Sequence, residues 1–316
     1  MCNHDHHEPT ETVDKETREI LNRRTMIQSL AAGGALVATP ALTGCATNPD
    51  TGYSQLVGMV SESQLNQMAA QSWAESKSKQ KLSTDPRYLG RLKTIGGRIS
   101  RGARREKQPW DYAVFDSDTK NAFVLPGNRV GFYKGMMDFA DNDDQIAAVM
   151  GHEVGHVAGQ HARERVSTQM AGQMGLAVGG IVGATQLGKN CKNLAGAQRS
   201  QCYQKASRNS QMLNAALGMG FTLGVVLPFS RKHESQSDLL GARYMQRAGY
   251  NPYQSVKLWE KMAENNPSRQ PEFLSTHPHP SNRARDLHNY IKCQERMGSQ
   301  GWGDENLKAA LKACEA

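Results

Sequence analysis

Two histidines four residues apart, His152 and His156, place the strongest constraint on how this chain can fold. On a helix this spacing puts both imidazoles on one face, where they can bind a single metal ion. Residues 143–165 around them begin with acidic residues, end with a basic one and contain no proline, which is typical of a helix. Ala148 and Val149 make the histidine face apolar, and a buried imidazole needs a hydrogen bond or a metal. The sequence therefore predicts a buried helix that must meet a second element to complete a metal site.

Glu153 lies between the two histidines, where it could take a proton from a water molecule on the metal, as in zinc-dependent peptidases. A catalytic zinc ion usually has three protein ligands, so one more is expected from another element. A helix predicted over residues 231–248 supplies Glu234 as that ligand and Asp238 as the acceptor for the ring N–H of a liganding histidine. Exposed salt bridges are the alternative role for this acidic pair. His161 would continue the first helix off the histidine face, so we expect it at the surface or behind a ligand.

Four motifs, in this order, resemble those of the gluzincin metallopeptidases that include the HtpX heat-shock proteases, the CAAX prenyl endopeptidases and bacterial periplasmic lipoprotein proteases. They are NAFVLPG at 121–127, HEVGH at 152–156, SRKHESQSD at 230–238, and STHP at 275–278 followed by Arg283. The resemblance covers about residues 112–287 and implies one zinc ion per chain, a general base and a supporting acid. The residues it implies are the ligands His152, His156 and Glu234, the base Glu153 and the acid Asp238. No spanning helix is predicted after the first 44 residues, so the lipoprotein branch is the more similar one.

The resemblance also implies an α+β fold, mostly helical, in which a zincin-like metallopeptidase domain combines the HExxH helix with a small antiparallel sheet. Three short runs rich in β-branched and aromatic residues, 110–116, 121–125 and 129–133, fit that sheet. In this family the second run forms an edge along the cleft, where a substrate chain could pair with it. The expected substrate-binding residues are therefore Asn121, Ala122, Phe123 and Val124. Main-chain pairing predicts broad specificity, and an ordinary core hairpin is the alternative.

The implied reaction is peptide hydrolysis by a water molecule that zinc activates, with Glu153 taking its proton and returning it to the leaving amine. The oxyanion formed on the way needs a further donor besides the metal. His277, in a loop bounded by prolines, is the candidate, and Arg283 is the second one. Without substrate, His277 could instead occupy the fourth zinc position and hold the enzyme latent. A loop histidine with no part in the chemistry is the remaining alternative.

The first 44 residues are typical of a bacterial export signal. Arg23 and Arg24 precede a short apolar run and resemble a twin-arginine signal, although the ordinary secretory route stays open. Residues 42–45, Leu-Thr-Gly-Cys, resemble a lipobox in which Cys45 is lipidated and becomes the first mature residue. Ala46 after it favours the outer membrane. We therefore expect a periplasmic protein held by a lipid, with a free Cys45 behind an ordinary signal as the alternative.

The remaining chain is expected to be a tether over residues 45–61 and one zinc metallopeptidase domain over 62–316. A Gly-, Ala- and Met-rich insertion at about 167–229 could be a mobile lid, a client surface or a set of packed helices. An even number of cysteines in an oxidising compartment predicts disulfides, with sequence neighbours as the preferred pairs among three connectivities. The candidate cysteines are Cys191, Cys202, Cys293 and Cys314.

The net charge of +8 comes from scattered lysines and arginines without a nucleic-acid motif, so it favours an anionic membrane over nucleic acid as a partner. Together these features predict a zinc metalloendopeptidase for misfolded or misassembled proteins of the cell envelope. The outer-membrane assembly machinery is a further candidate partner. A catalytically silent chaperone for outer-membrane proteins and an anchor with a structural zinc are the alternatives. Both alternatives would leave Glu153 dispensable.

Overall fold

The computed structural model of the chain describes residues 44–187, 191, 193–221, 227–264, 277, 282–298 and 302–315. The strands are β1 (Cys45–Thr47), β2 (Ser54–Leu56), β3 (Asp111–Phe115), β4 (Ala122–Leu125) and β5 (Arg129–Tyr133). The helices are α1 (Glu62–Lys79), α2 (Pro86–Gly102), α3 (Lys134–Phe139), α4 (Asp143–Ala158), α5 (His161–Leu187), α6 (Gly196–Phe221), α7 (Leu227–Arg247), α8 (Tyr253–Glu264), α9 (Arg283–Arg296) and α10 (Leu307–Glu315). The predicted class, mostly helical with one small three-stranded sheet, is confirmed.

Helix α4 carries the HEVGH motif through the middle of the core, and its ends are set by local sequence signals. The Asn142 side chain accepts a hydrogen bond from the Gln145 N–H at 3.0 Å, which caps the first turn. The helix ends at Gly159, and Gln160 then adopts a left-handed φ of 52°. The predicted continuation to residue 165 is therefore wrong, because His161 begins a new helix, α5, after this break.

Helices α4 and α7 approach each other through glycines, which brings the two halves of the predicted metal site together. A Cβ atom added to Gly155 would lie 2.8 Å from Ser237 Cα, and one added to Gly151 would lie 3.0 Å from the Gly241 carbonyl oxygen. Side chains at these positions would hold the two backbones apart. Helix α7 begins at Leu227, earlier than the predicted start at residue 231, with Pro228 in its first turn, where a missing N–H costs nothing.

The three-stranded sheet has the order β3-β5-β4. Strands β4 and β5 form an antiparallel hairpin, as predicted, around a turn with positive φ at Gly127 and Asn128. Strand β3 pairs parallel to β5, so the sheet is mixed rather than wholly antiparallel. The parallel pair arises because residues 116–121 cross over and let β5 lie between β3 and β4. Strand β4 is thereby left at an edge of this sheet, as expected.

Residues 45–56, predicted as part of a tether, form a hairpin of β1 and β2 that is bound to the end of α4. Asn48 donates a hydrogen bond to the Ala158 carbonyl at 2.9 Å, and Gln55 donates to the Gly159 carbonyl at 2.6 Å. The last carbonyls of a helix lack partners within the helix, so these two amides satisfy groups that α4 leaves open. Cys45 is exposed at the start of β1.

Apolar side chains from α2, β5, α4, α7 and α8 form the main core, in which Ile95, Phe132, Met150, Met245 and Trp259 are fully buried. A smaller aromatic cluster joins α1 to the sheet. Between described residues, disulfides pair the sequence neighbours Cys191 with Cys202 and Cys293 with Cys314, the preferred connectivity. Among the described residues, none of the helices combines the length and the apolar character needed to cross a membrane.

Candidate metal centre

Four side chains from α4, α7 and residue 277 converge on one point in the interior. The Nε2 atoms of His152 and His156 lie 3.1 Å apart, and the Glu234 carboxylate lies 3.3 Å from the first and 3.4 Å from the second. His277 Nδ1 lies 3.3 Å from His152 Nε2, and one donor atom of each of these four residues lies within 4.8 Å of every other. Imidazole nitrogens with a carboxylate are the donors that zinc prefers, so this set fits a divalent cation.

The charge around this point also favours a cation. Burial would raise the pKa of Glu234, but hydrogen bonds with His152 and His277 hold it far below its ordinary value. Burial would lower the pKa of His152, but its contacts with Asp238 and Glu234 raise it to about 9. Two ionised carboxylates thus act on one buried point. They stabilise positive charge at this point, and a divalent metal ion supplies more positive charge than a proton does.

Asp238 fixes the orientation of His152. Its Oδ1 lies 2.8 Å from His152 Nδ1, so an N–H at Nδ1 donates to the carboxylate and the lone pair at Nε2 faces the other donors. Arg283 donates to both carboxylate oxygens, from Nε at 2.6 Å and from Nη2 at 2.7 Å. Burial would raise the pKa of Asp238, and the Arg283 guanidinium outweighs it and lowers that pKa. This is the placement predicted for Asp238 from the four-residue spacing to Glu234.

The structure places Arg283 behind the acids. Its guanidinium is buried and lies 3.4 Å from Glu234 in addition to its two hydrogen bonds with Asp238. A donor to the oxyanion must face the reacting carbonyl, whereas these N–H groups already face two carboxylates. The arrangement therefore favours an anchoring role over the oxyanion role considered from the sequence.

Glu153 lies beside the cluster with one oxygen free. Its side chain is buried, and Oε1 has no hydrogen-bond partner among the described residues. The His277 ring lies close to it, with Nε2 at 3.4 Å from that oxygen. Burial raises the pKa of Glu153, which makes its carboxylate a better proton acceptor. The free lone pair and the raised pKa are both properties that a general base needs.

His277 lies inside the cluster rather than at its rim. Its Nδ1 is 3.1 Å from Glu234 and its Nε2 is 3.4 Å from Glu153, so the ring stands between the predicted third ligand and the predicted base. This position favours a part in the chemistry or in latency over an idle loop histidine. The neighbouring residues of its motif, 275, 276 and 278, lie outside the described part of the chain.

His161 is buried behind His156, which is one of the two positions expected for it, although it belongs to a new helix. Its Nδ1 lies 2.9 Å from His156 Nδ1, and its Nε2 lies 3.0 Å from Gln236 Oε1. Burial, followed by the charge of His233, lowers the pKa of His161 well below its ordinary value, so the ring is neutral. A neutral His161 that donates from Nε2 to Gln236 accepts at Nδ1 from His156. Gly159, whose lack of a side chain leaves room for the His161 ring, was the available signal for a helix end.

The predicted substrate-binding strand lies against the centre, but most of its side chains face inward. Asn121 and Ala122 are buried, and Phe123 stacks within the aromatic cluster of Trp73 and Phe115. Burial raises the pKa of Glu153, and a hydrogen bond with the Val124 main chain partly opposes that rise, which places this edge next to the Glu153 carboxylate. A cavity of about 400 Å³ extends from His156 along β4. Its lining includes Leu65, Arg105, Val124, Leu125, Pro126, Gln160 and Arg163.

Comparisons with known proteins agree with this geometry. The sequence profile of peptidase family M48 matches residues 86–291. The chain is 28% identical over 232 residues to the beta-barrel assembly-enhancing protease of Escherichia coli K12, covering 72% of this chain and 44% of that protein. It is 30% identical over 185 residues to the mitochondrial metalloendopeptidase OMA1 of Schizosaccharomyces pombe, covering 58% and 47%. It is 25% identical over 281 residues to the metalloprotease LoiP of Escherichia coli K12, covering 84% and 96%. The chain thus spans about half the length of the first two relatives.

Proposed function

Because the chain belongs to peptidase family M48 and is a metalloendopeptidase, we propose that His152, His156 and Glu234 hold a zinc ion and that Glu153 is the general base. The observation that carries this proposal is the convergence of three donors from α4 and α7 beside a buried carboxylate oxygen without a partner. When bound, zinc supplies Lewis-acid activation of water and of the scissile carbonyl. The site would be a catalytic one, since three ligands leave a position open for solvent or substrate.

Each side chain of this site has a separate role in the proposed reaction. Glu153 accepts a proton at Oε1 from the attacking water and returns it to the leaving amine. Asp238, held by Arg283, keeps the N–H of His152 at Nδ1 so that Nε2 stays available. The ring of His277 must move aside for a peptide to reach Glu153, or must bind the oxyanion once the peptide has entered.

Glu153→Gln tests the base directly. The substitution keeps the volume and removes the proton acceptor, so we expect bound zinc to persist and casein cleavage to fall by a factor of about 100 or more. Glu106→Gln, at an exposed position outside the centre, is the matched control. Unchanged cleavage by Glu153→Gln, with zinc quantified in the same sample, would remove the proposed base, whereas no cleavage by the zinc-loaded wild type would leave the silent chaperone as the better account.

We propose misfolded or misassembled cell-envelope proteins as the substrates. The beta-barrel assembly-enhancing protease among the relatives is named for assembly of barrel proteins, and the β4 edge beside Glu153 is suited to pairing with an unfolded strand. The outer-membrane assembly machinery remains a candidate partner. Crosslinking of the inactive Glu153→Gln variant in cells, followed by mass spectrometry, would identify the clients. Recovery of cytoplasmic proteins alone would contradict this proposal.

We also propose that residues 1–44 are an export signal and that the protein acts in the periplasm, held to the membrane by a lipid on Cys45. The lipobox-like residues 42–45 and the bacterial relatives support this address. In the structure the sulfur of Cys45 is disulfide-bonded, whereas a lipid needs that thiol free. Metabolic labelling with a fatty acid, with Cys45→Ser as the control, distinguishes a lipid from a disulfide at this residue. Labelling that is lost in the variant supports the lipid anchor. An unlabelled wild type contradicts it.

A further inference from the structure

A second cavity, of about 290 Å³, lies between the end of α2, helix α7 and residues 304–306, and is lined by residues other than those of the metal centre. Four arginines line it, two after the last turn of α2 and two on α7: Arg104, Arg105, Arg243 and Arg247. Guanidinium groups repel one another when they share a partly buried space. Burial, followed by the charges of Arg243 and Arg104, lowers the pKa of Arg247, which reflects this crowding.

The acids at this cavity do not balance its arginines. Asp50 lies 2.8 Å from Arg105, and the exposed Asp304 pairs with Arg104 and lies 3.6 Å from Arg247. A third acid, Glu305, also lines the cavity but forms no ion pair among the described residues. Four guanidinium charges against two paired carboxylates, or three with Glu305, leave an excess of one to two positive charges.

Arg243 is the most unusual of the four. Its residue is only 3% exposed, and within the described part of the chain no carboxylate lies within 4 Å of it. Its guanidinium donates to two neutral acceptors, the Glu305 carbonyl at 2.6 Å and the Tyr290 hydroxyl at 3.0 Å. Its Nε has no acceptor at all among the described residues. Asp304 interacts with this charge from a greater distance, but a buried charge without a carboxylate in contact is costly, which favours a further anion at the site.

Two further buried donors at this cavity lack partners in the described structure. They are the Nε of Arg105 and the hydroxyl of Tyr244. Natural proteins leave few buried polar atoms unsatisfied, and here three of them belong to residues that line one cavity. All three can donate a hydrogen bond. A water molecule or an anion could supply the missing acceptor.

We propose that this cavity binds a phosphate group. A phosphate monoester carries a charge of about −1.5 to −2 near neutral pH, which matches the excess, and offers three strong acceptor oxygens. Guanidinium forks from α2 and α7 approach from two directions, as suits a tetrahedral oxyanion better than one planar carboxylate. The cavity exceeds a single phosphate in volume, so the group can be free phosphate, a soluble phosphate ester or the headgroup of a membrane lipid.

A purely structural role explains only part of these contacts. Arg247 donates from Nε to the Trp302 carbonyl at 3.2 Å and Arg243 donates to the Glu305 carbonyl, so both hold the segment before α10. These bonds use the Arg243 terminal nitrogens and leave its Nε, the Arg105 Nε and the charge excess unexplained. A structural role predicts that variants lose stability in any salt. A phosphate site predicts that they lose a phosphate-specific response.

The test is titration of the full chain with inorganic phosphate by calorimetry at constant ionic strength, with sodium chloride as the reference salt. We expect saturable binding by the wild type and at least about a tenfold loss of affinity in Arg105→Gln, because charge-assisted hydrogen bonds are lost. Arg91→Gln, which removes a surface arginine paired with Asp143 away from the cavity, should bind as the wild type does. Arg243→Gln should lose binding too, and its melting temperature in chloride shows whether it is folded.

Two further arms separate the sources of the phosphate. If a lipid headgroup is the ligand, Arg105→Gln weakens binding to vesicles that contain phosphatidic acid, whose headgroup is a phosphate monoester, by more than Arg91→Gln does, and glycerol phosphate competes. If a soluble phosphate is the ligand, phosphate binds but the two variants bind vesicles equally. No saturable phosphate binding to the wild type, or the same affinity in Arg105→Gln, overturns the proposal.

Discussion

Each histidine of the HEVGH helix has a different partner at the ring nitrogen that faces away from the cluster. His152 donates to Asp238, a carboxylate fixed by Arg283, whereas His156 donates to the neutral ring of His161. A carboxylate partner makes an imidazole a stronger electron donor than a neutral partner does. The two proposed ligands would therefore be tuned unequally, and the proposed role of His161 is mainly to keep the His156 ring in the correct tautomer.

We expect His161→Phe to weaken zinc binding about 10- to 100-fold, because the acceptor for His156 Nδ1–H is lost while the volume is kept. Chelator competition measures the zinc affinity, and the spectrum of the cobalt-loaded protein reports the ligand geometry. His161→Gln, which restores an oxygen acceptor, should recover part of the affinity. His288→Phe, at an exposed position, is the control. Equal zinc affinity in His161→Phe and the wild type would show that His161 does not position the ligand.

His277→Ala separates the two roles considered for that ring. Because His277 stands between Glu234 and Glu153 in the absence of substrate, we expect its removal to raise basal casein cleavage. The measurement is the initial rate at saturating zinc, so that altered metal occupancy does not enter. A fall in the rate would contradict latency and indicate that the ring stabilises the oxyanion.

At the scale of secondary structure, the metal centre depends on the close crossing of α4 and α7. Spacing rules predicted both helices and the faces that meet, since His152, His156, Glu234 and Asp238 follow the period of a helix. The break at Gln160 was missed because it depends on a left-handed φ at a residue other than glycine. The parallel pairing of β3 with β5 and the docking of the β1–β2 hairpin depend on contacts distant in sequence, which periodicity does not report.

Gly155→Ala should separate α4 from α7. The added Cβ would meet Ser237 Cα at 2.8 Å, so a backbone must shift, at a cost of about 1–3 kcal/mol in the free energy of unfolding. We also expect weaker zinc binding, because Glu234 moves away from the histidines. Chemical denaturation measures the first effect and chelator competition the second. Gly90→Ala, in α2 with open space around its Cβ, should be neutral or stabilising by up to about 1 kcal/mol. Equal effects of both substitutions would contradict the role of this crossing.

At the scale of the whole molecule, an ion bound at the proposed site and the core would stabilise each other. The cluster joins α4 to α7 in the middle of the main core, so a bound cation favours the folded state over the unfolded one. At a free zinc concentration 1,000 times the Kd, linkage contributes about 4 kcal/mol, or about 8–16 °C in melting temperature. Calorimetry before and after chelation measures this shift. Glu234→Gln should show a much smaller one, and an equal shift would place the stabilising ion elsewhere.

The hairpin that begins at Cys45 also has a consequence for how the enzyme would sit on a membrane. Strand β1 starts at that residue, and Asn48 and Gln55 bind the end of the catalytic helix only a few residues later. If Cys45 carried an acyl chain, almost no flexible linker would separate the bilayer from the folded domain. The enzyme would be held at the lipid surface with a fixed orientation, and it could contact only polypeptides that emerge or stall there.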